Sequence, residues 1–188
     1  MKYFKVIIIG LLTTLFSCNK IKKIKNNLDT VDLYKKSNID RFYWEDSGYD
    51  YEVLPVLKPF KLINLQGNSE WILNSSEMPD EINDISPVAS INLYNNKIYG
   101  FQDNQYQLNS NEVRIPARWF IIDTQAKKIS YFEKETEFKA ALKRHNLPEK
   151  FLNPDEVYEE FKQDPVLEWF PQNIKKQLNE VKSSLKNK

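Results

Sequence analysis

The single histidine and the single cysteine of this chain are the first residues to consider for catalysis or metal binding. His145 is the only imidazole and Cys18 is the only thiol. A catalytic triad needs a nucleophile and an orienting carboxylate beside its histidine, and no serine lies in a Gly-x-Ser-x-Gly motif. One histidine and one cysteine also cannot supply the usual ligand set of a zinc site. We therefore expect no catalytic residue and no metal site.

The 26 acidic residues are the remaining source of reactive side chains. The segment 78–84 gathers several acids, but it lacks the glycine and the spacing of the helix–loop–helix calcium motif. A glycosidase uses two carboxylates in different environments, and no pair is singled out here by an apolar setting. Gly48, Gly67 and Gly100 lie far apart, which argues against a glycine-rich phosphate loop. We expect no cofactor.

The first residues have the pattern of a secretory signal peptide. Lys2 and Lys5 precede an apolar stretch over 6–16, which is too short to span a membrane. Leu15-Phe16-Ser17-Cys18 then resembles the lipobox of bacterial lipoproteins, in which a cysteine follows an aliphatic and a small residue. The resemblance implies that the thiol of Cys18 receives a diacylglycerol, that the leader is removed, and that the new amino group is acylated with a fatty acid such as palmitate. Two or three buried acyl chains anchor a protein far better than one.

This resemblance predicts the organisation of the chain. We expect a signal peptide over 1–17, a lipidated cysteine and tether over 18–38, and one globular domain over 39–188. By analogy with enterobacterial sorting, Asn19 after the cysteine implies an outer-membrane anchor facing the periplasm. In a host with a single membrane, the anchor would lie in the cell membrane.

The composition predicts a folded domain without affinity for nucleic acid. Hydrophobic residues make up 41% of the chain and charged residues 28%, as in typical globular proteins. Removal of residues 1–17 takes away two of the 27 basic residues and none of the 26 acidic ones, so the net charge becomes −1. A near-neutral domain has no field that attracts phosphate backbones.

Turn residues between apolar runs predict three β-hairpins. Asn95-Asn96 is the clearest turn, because asparagine tolerates the positive φ that a two-residue type I′ turn requires. The apolar run Phe120-Ile121-Ile122 indicates a strand buried on both faces. The expected strand pairs are 59–65 with 70–74, 91–94 with 97–101, and 119–123 with 128–132.

The last third of the chain changes to helical spacing. Phe138, Ala141 and Leu142 indicate one helix, and Asn153-Pro154 followed by two acids is a strong start for a second. A third is amphipathic, with an apolar stripe at Ile174, Leu178, Val181 and Leu185. Hairpins followed by helices predict an α+β fold with an antiparallel sheet.

We expect the core to contain aliphatic and aromatic residues from the predicted strands. For Trp119→Ala we expect a loss of about 3–5 kcal/mol, through lost burial and a cavity. The expected core residues are Leu62, Ile63, Trp71, Ile91, Ile98, Trp119, Ile121 and Phe132.

An aromatic segment among acids is the candidate binding surface. Tyr43, Trp44, Tyr49 and Tyr51 alternate with carboxylates, and such residues form either a partner surface or a lid packed on the core. The runs 54–60 and 119–123 resemble small bacterial proteins, some of which are encoded beside toxins as immunity factors.

The residues favour a non-catalytic function. We expect a protein-binding module, held on the membrane by the lipid on Cys18, whose protein partner is of unknown identity; an immunity-type inhibitor is one form. The alternatives are a carboxylate-based envelope hydrolase and a structural or assembly lipoprotein.

Overall fold

The computed structural model describes residues 34–48, 50–65, 70–74, 84–107, 110 and 112–186. The predicted signal peptide, Cys18 and most of the predicted tether lie outside these residues. The chain divides into two compact units, one formed by 1–41 with 176–188 and the other by 42–175.

The described residues form antiparallel sheets and mainly C-terminal helices, which confirms the predicted α+β class. The strands are β1 (Tyr51–Pro55), β2 (Lys61–Leu65), β3 (Trp71–Asn74), β4 (Val88–Tyr94), β5 (Lys97–Gln102), β6 (Gln105–Tyr106), β7 (Val113–Ile115), β8 (Arg118–Asp123) and β9 (Lys128–Phe132). The helices are α1 (Glu135–Arg144), α2 (Pro154–Gln163) and α3 (Gln172–Lys186), and a short 3₁₀ turn covers Arg41–Tyr43.

All three predicted hairpins are present, but they are distributed between two sheets. One sheet has the order β1-β2-β3, and the other has the order β4-β5-β8-β9. Sequence analysis missed β1, and it also missed β6 and β7, which form a small sheet of their own. Strands β6 and β7 are two and three residues long, which is too short for an alternating apolar pattern to reveal a strand in a sequence.

The β4–β5 hairpin shows why the local sequence specifies its register. Asn95 and Asn96 have φ angles of 47° and 59°, as the predicted type I′ turn requires. Gly100 lies so close to β4 that a Cβ atom there would come within 2.0 Å of the carbonyl oxygen of Ser90. Only glycine fits this approach of the two backbones.

Helix α1 covers one face of the second sheet. It contacts β8 and β9, and its buried residues join those of the sheet and of the loop after the helix in one cluster, which consists of Tyr99, Ile121, Phe138, Ala141, Leu142 and Leu147. The indole of Trp119 stacks on the ring of Phe138, with centroids 4.7 Å apart and an interplanar angle of 16°. Aromatic as well as aliphatic contacts therefore hold the helix against the sheet.

Helix α2 begins as its sequence predicts. Asn153 is the N-cap, and its side-chain oxygen accepts a hydrogen bond from the backbone N–H of Asp155 at 2.8 Å. Pro154 follows at the first position, where its missing N–H costs nothing. The indole Nε1 of Trp71 donates to Asp155 Oδ1 at 2.7 Å, which ties β3 to the start of this helix.

Five of the eight predicted core residues are buried, and the other three are half-buried. Leu62, Trp71, Ile91, Ile98 and Ile121 are buried. In contrast, Ile63, Trp119 and Phe132 are only half-buried. Ile63 alternates with buried neighbours along β2, and Trp119 lies opposite Phe132 near one end of the sheet. Which apolar residues are buried therefore depends on the face of the strand they occupy and on their position within the sheet, and not on side-chain type alone.

The unit formed by 1–41 with 176–188 has its own buried residues among those described. Tyr34 and Ile39 are buried. From the predicted stripe of α3, Leu178 and Val181 are buried, while the side chain of Leu185 lies outside the described part.

Candidate functional site

The strongest candidate site is a groove of about 550 Å³ beside the β4–β5 turn, which we call the Trp169 groove. Three segments that are distant in sequence form it, namely 92–97, 148–152 and 168–169, together with Leu57. Its lining includes Tyr94, Lys97, Pro148, Lys150, Glu168 and Trp169. Aromatic, amide, basic and acidic side chains therefore line the same groove.

Hydrogen bonds hold the wall at 148–152 against the sheet. Leu152 exchanges two backbone hydrogen bonds with Ile91, of 2.8 and 3.0 Å. Asn92 Nδ2 donates to the carbonyl oxygen of Lys150 at 2.5 Å, and the Tyr99 hydroxyl donates to that of Pro148 at 3.0 Å. Burial raises the pKa of Tyr99 to about 12, so this hydroxyl keeps its proton at neutral pH. The wall is thus preorganised in the free protein.

The indole of Trp169 is oriented before any ligand arrives. Its Nε1 donates to the carbonyl oxygen of Pro55 at 3.2 Å, and the side chain is half-buried. A second groove of about 570 Å³ shares Lys150, Leu152, Glu168 and Trp169 with the first. Trp169 is therefore part of the lining of two adjoining grooves, which suits a ligand longer than a compact small molecule.

The charged side chains that line the second groove are mainly acidic. Glu160, Asp164 and Glu168 contribute to its lining, with Lys150 as the basic residue. In the first groove, Lys97 pairs with Asp123 at 2.5 Å. Charges of opposite sign at known positions favour a ligand that itself carries both signs, as a polypeptide does.

Three of the four aromatic residues of the sequence-based site, Tyr43, Trp44 and Tyr51, do not line either groove. The ring of Tyr43 packs edge-on against Phe170, with centroids 5.0 Å apart. Trp44 is half-buried, Tyr51 is exposed at the start of β1, and Tyr49 lies outside the described residues. The binding role of this segment remains a prediction, and Tyr43 also contributes to packing.

Three side chains of the triad types line one small cavity, but hydrogen bonds do not connect them. Asp123, Ser130 and His145 line a cavity of about 160 Å³. The oxygens of Asp123 accept from Lys97 and from the backbone of Gln125 and Ala126. Within the described residues, no hydrogen bond joins His145 to the aspartate or the serine. His145 is the C-cap residue of α1, and its backbone N–H donates to carbonyl oxygens of that helix.

The carboxylates of the described residues do not form a buried pair. A cavity of about 380 Å³ collects Glu70, Asp103 and Asp155, yet none of the acids in the described ranges is buried. Burial in an apolar setting, which is one way to raise the pKa of a general acid, is therefore absent for the acids in these ranges. Within the same ranges, no cluster of at least three potential ligands could hold a metal ion.

Comparisons with protein-family models, with curated proteins and with solved structures found no match. Among the residues that the structure describes, no helix has the length and apolarity needed to cross a membrane. Sequence analysis missed the Trp169 groove, because its three segments are not neighbours in sequence and none is unusual by itself.

Proposed function

We propose that this chain is a lipid-anchored envelope lipoprotein whose folded part is a non-catalytic protein-binding module. The observation that carries the proposal is the Trp169 groove. The oriented indole of Trp169 lines this groove and also the second groove beside it, and amides and charged side chains complete the lining. An immunity-type inhibitor, which masks a toxin, is one form of such a module.

Several features of the groove suit a polypeptide segment. Tyrosine and tryptophan supply large contact areas at low entropic cost and dominate binding hot spots. Trp169 is half-buried, while Tyr94 is 45% exposed. Preorganised walls reduce the ordering cost of association, and the hydrogen bonds from Asn92 and Tyr99 provide this order.

The anchor in this proposal rests on Leu15-Phe16-Ser17-Cys18. Lipid on Cys18 would hold the module at the outer membrane facing the periplasm, or at the cell membrane of a host with one membrane. A tether between Cys18 and the buried Tyr34 would leave the groove free to meet proteins that cross or approach the envelope.

The experiment that tests the binding role compares variants of the full chain in detergent-solubilised membranes. Tyr94→Ala and Lys150→Glu change the groove, while Tyr106→Ala removes another exposed tyrosine that lies outside it. We expect a protein that is cross-linked to the wild type and to Tyr106→Ala, but lost with both groove variants. Equal recovery with all variants, or none with the wild type, would contradict the proposal.

A second experiment separates the proposal from an envelope hydrolase. A hydrolase would release fragments from purified cell wall, and the activity would fall when Asp103 or Asp155 becomes asparagine. We expect no release by the wild-type chain.

A further inference from the structure

The outer edges of the first sheet are occupied by backbone hydrogen bonds. On β1, the carbonyl of Tyr51 accepts from Gly48 N–H at 2.7 Å, and Val53 N–H donates to Asp46 at 2.8 Å. On β3, Leu73 exchanges hydrogen bonds of 2.9 and 3.2 Å with Ile85. Such coverage is how proteins prevent edge strands from pairing with other chains.

The two edges of the second sheet differ from each other. On β4, Ile91 exchanges two hydrogen bonds with Leu152. Strand β9 lies at the opposite edge, and within the described residues no backbone group outside β8 pairs with it. Of the four outer strands of the larger sheets, β9 is thus the one left open by the described part of the chain.

The hydrogen-bonding pattern identifies which groups of β9 face outward. Tyr94 and Lys97 close a type I′ turn, so they form a hydrogen-bonded pair. The backbone groups of Lys97 therefore point toward β4 and away from β8. Lys97 lies opposite Asp123 on β8, so these two residues form a non-hydrogen-bonded pair, and Asp123 directs its N–H and C=O toward β9. The alternation along β9 then leaves the N–H and C=O groups of Ile129 and Tyr131 pointing away from β8.

Side chains do not block this edge. Tyr131 is 37% exposed, and the guanidinium of Arg118 lies 3.5 Å from its ring centroid, which holds the ring over a neighbouring strand of its own sheet. Ile129 and Ser130 are half-buried. The strand therefore presents outward polar groups beside partly exposed apolar side chains, which are the requirements for strand addition.

We propose that β9 pairs with β9 of a second copy of this chain, antiparallel and centred on Ser130. In this register Ile129 of each copy faces Tyr131 of the other, and each of these two pairs exchanges two hydrogen bonds. All outward groups of both strands are then satisfied. Two four-stranded sheets become one continuous sheet, and this pairing is independent of the Trp169 groove.

The sequence around β9 favours a second copy over an unrelated strand. Lys127 precedes β9 and Glu133 follows it, so antiparallel self-pairing brings opposite charges together at both ends. β-Branched and aromatic side chains are also a favourable cross-strand pair. A register centred on Ile129 would place Tyr131 opposite Lys127, whose φ of 50° takes it out of extended conformation, and would leave outward groups unpaired.

A disulfide test follows from the register. Residues facing each other in a non-hydrogen-bonded antiparallel pair have Cα atoms about 4.5 Å apart, which a disulfide can bridge. The test uses the full chain with Cys18 replaced by serine, so that Ser130→Cys supplies its only thiol. The matched control is Ser90→Cys, which is a half-buried serine on the other edge strand, β4.

We expect Ser130→Cys to form a covalent dimer in detergent under mild oxidation with copper phenanthroline, while Ser90→Cys stays monomeric. Equal cross-linking of both, or of neither, would overturn the proposal. If Ser130→Cys is linked to a different protein in isolated membranes while the purified chain is monomeric, self-pairing is wrong and β9 receives a foreign strand.

Charge exchange provides a second measurement on the chain without added cysteine. By analytical ultracentrifugation, Glu133→Lys should raise the dimer dissociation constant about tenfold or more, because it replaces two attractions with two repulsions. Adding Lys127→Glu to the same chain should restore the wild-type constant. Glu149→Lys, an exposed control, should leave it unchanged. Absence of a dimer at every attainable concentration, or failure of the double variant to restore it, would refute the pairing.

Discussion

The hydroxyl group of Tyr99 donates a hydrogen bond to the carbonyl oxygen of Pro148 and accepts one from Asn92 Nδ2, each at 3.0 Å. Tyr99 is buried in β5, whereas Pro148 belongs to a wall of the Trp169 groove. One phenol therefore connects the core of the second sheet to the candidate binding site.

Removing this hydroxyl should weaken the fold and loosen the groove wall. Tyr99→Phe leaves the carbonyl of Pro148 without its partner, at a cost of about 1–2 kcal/mol. Urea unfolding of the full chain in detergent would measure this loss. Tyr106→Phe, at a tyrosine that is 52% exposed, should change the free energy of unfolding by much less. Equal effects of the two variants would contradict the role of Tyr99.

The buried aromatic residue of α1 that packs against the second sheet should contribute strongly to stability. Phe138 is 1% exposed, so Phe138→Ala should cost about 3–5 kcal/mol through lost burial and a cavity. Trp119→Ala should cost less, because Trp119 is half-buried. Thermal melts would rank the two, and the reverse order would show that the stack between these rings is wrongly placed.

The stability of variants in the β4–β5 turn should depend on which backbone conformation the new residue tolerates. Asn96 has a φ of 59°, a conformation that costs most residues about 1–2 kcal/mol. Asn96→Ala should therefore destabilise the protein by about 1 kcal/mol, while Asn96→Gly should be neutral or slightly stabilising. Chemical unfolding of both variants provides the measurement. Equal stability of the two would indicate a turn of another type.

The carboxyl group of Asp123 should make stability depend on pH in the acid range. Hydrogen bonds from the backbone N–H of Ala126, and next from Lys97, lower its pKa below the ordinary value of 3.8. A group whose pKa is lower in the folded state stabilises above its unfolded pKa, and this contribution is lost as pH falls through the folded pKa.

Asp123→Asn should therefore be less stable than the wild type at pH 7, and the difference should shrink as the pH falls below about 3.8. Unfolding curves across this range would show it. Glu149→Gln serves as a control at an exposed acid. A difference between wild type and Asp123→Asn that is constant with pH would mean that the charge of Asp123 contributes nothing.

Cys18→Ser should abolish lipidation. A serine hydroxyl cannot replace the thiol that the acyl-transfer enzyme modifies, and in lipoproteins this modification precedes removal of the leader. Radiolabelled palmitate should mark the wild type and not the variant, and the variant should keep its leader and fractionate differently. An unlabelled wild type, or a variant that is processed normally, would refute the lipoprotein assignment.

Local sequence determined the elements whose signals lie within a few residues. Asn95-Asn96 specifies a turn because asparagine tolerates positive φ. Asn153-Pro154 specifies a helix start because the side chain caps a free backbone N–H and proline needs no partner for its nitrogen. These two signals were sufficient to place the β4–β5 hairpin and α2, and with similar patterns elsewhere they predicted the α+β class.

Tertiary structure alone decided how these elements combine. Whether Trp119 is covered depends on the helix packed over its strand, and whether β9 is an edge depends on strand order, which no local pattern encodes. The Trp169 groove joins residues 92–97, 148–152 and 168–169, and Tyr99 reaches Pro148 across 49 positions of sequence. Local backbone preferences act over a few residues, whereas burial and hydrogen bonding are satisfied between any segments that the folded chain brings together. Turns, helix starts and the longer strands can therefore be read from the sequence, whereas the site cannot.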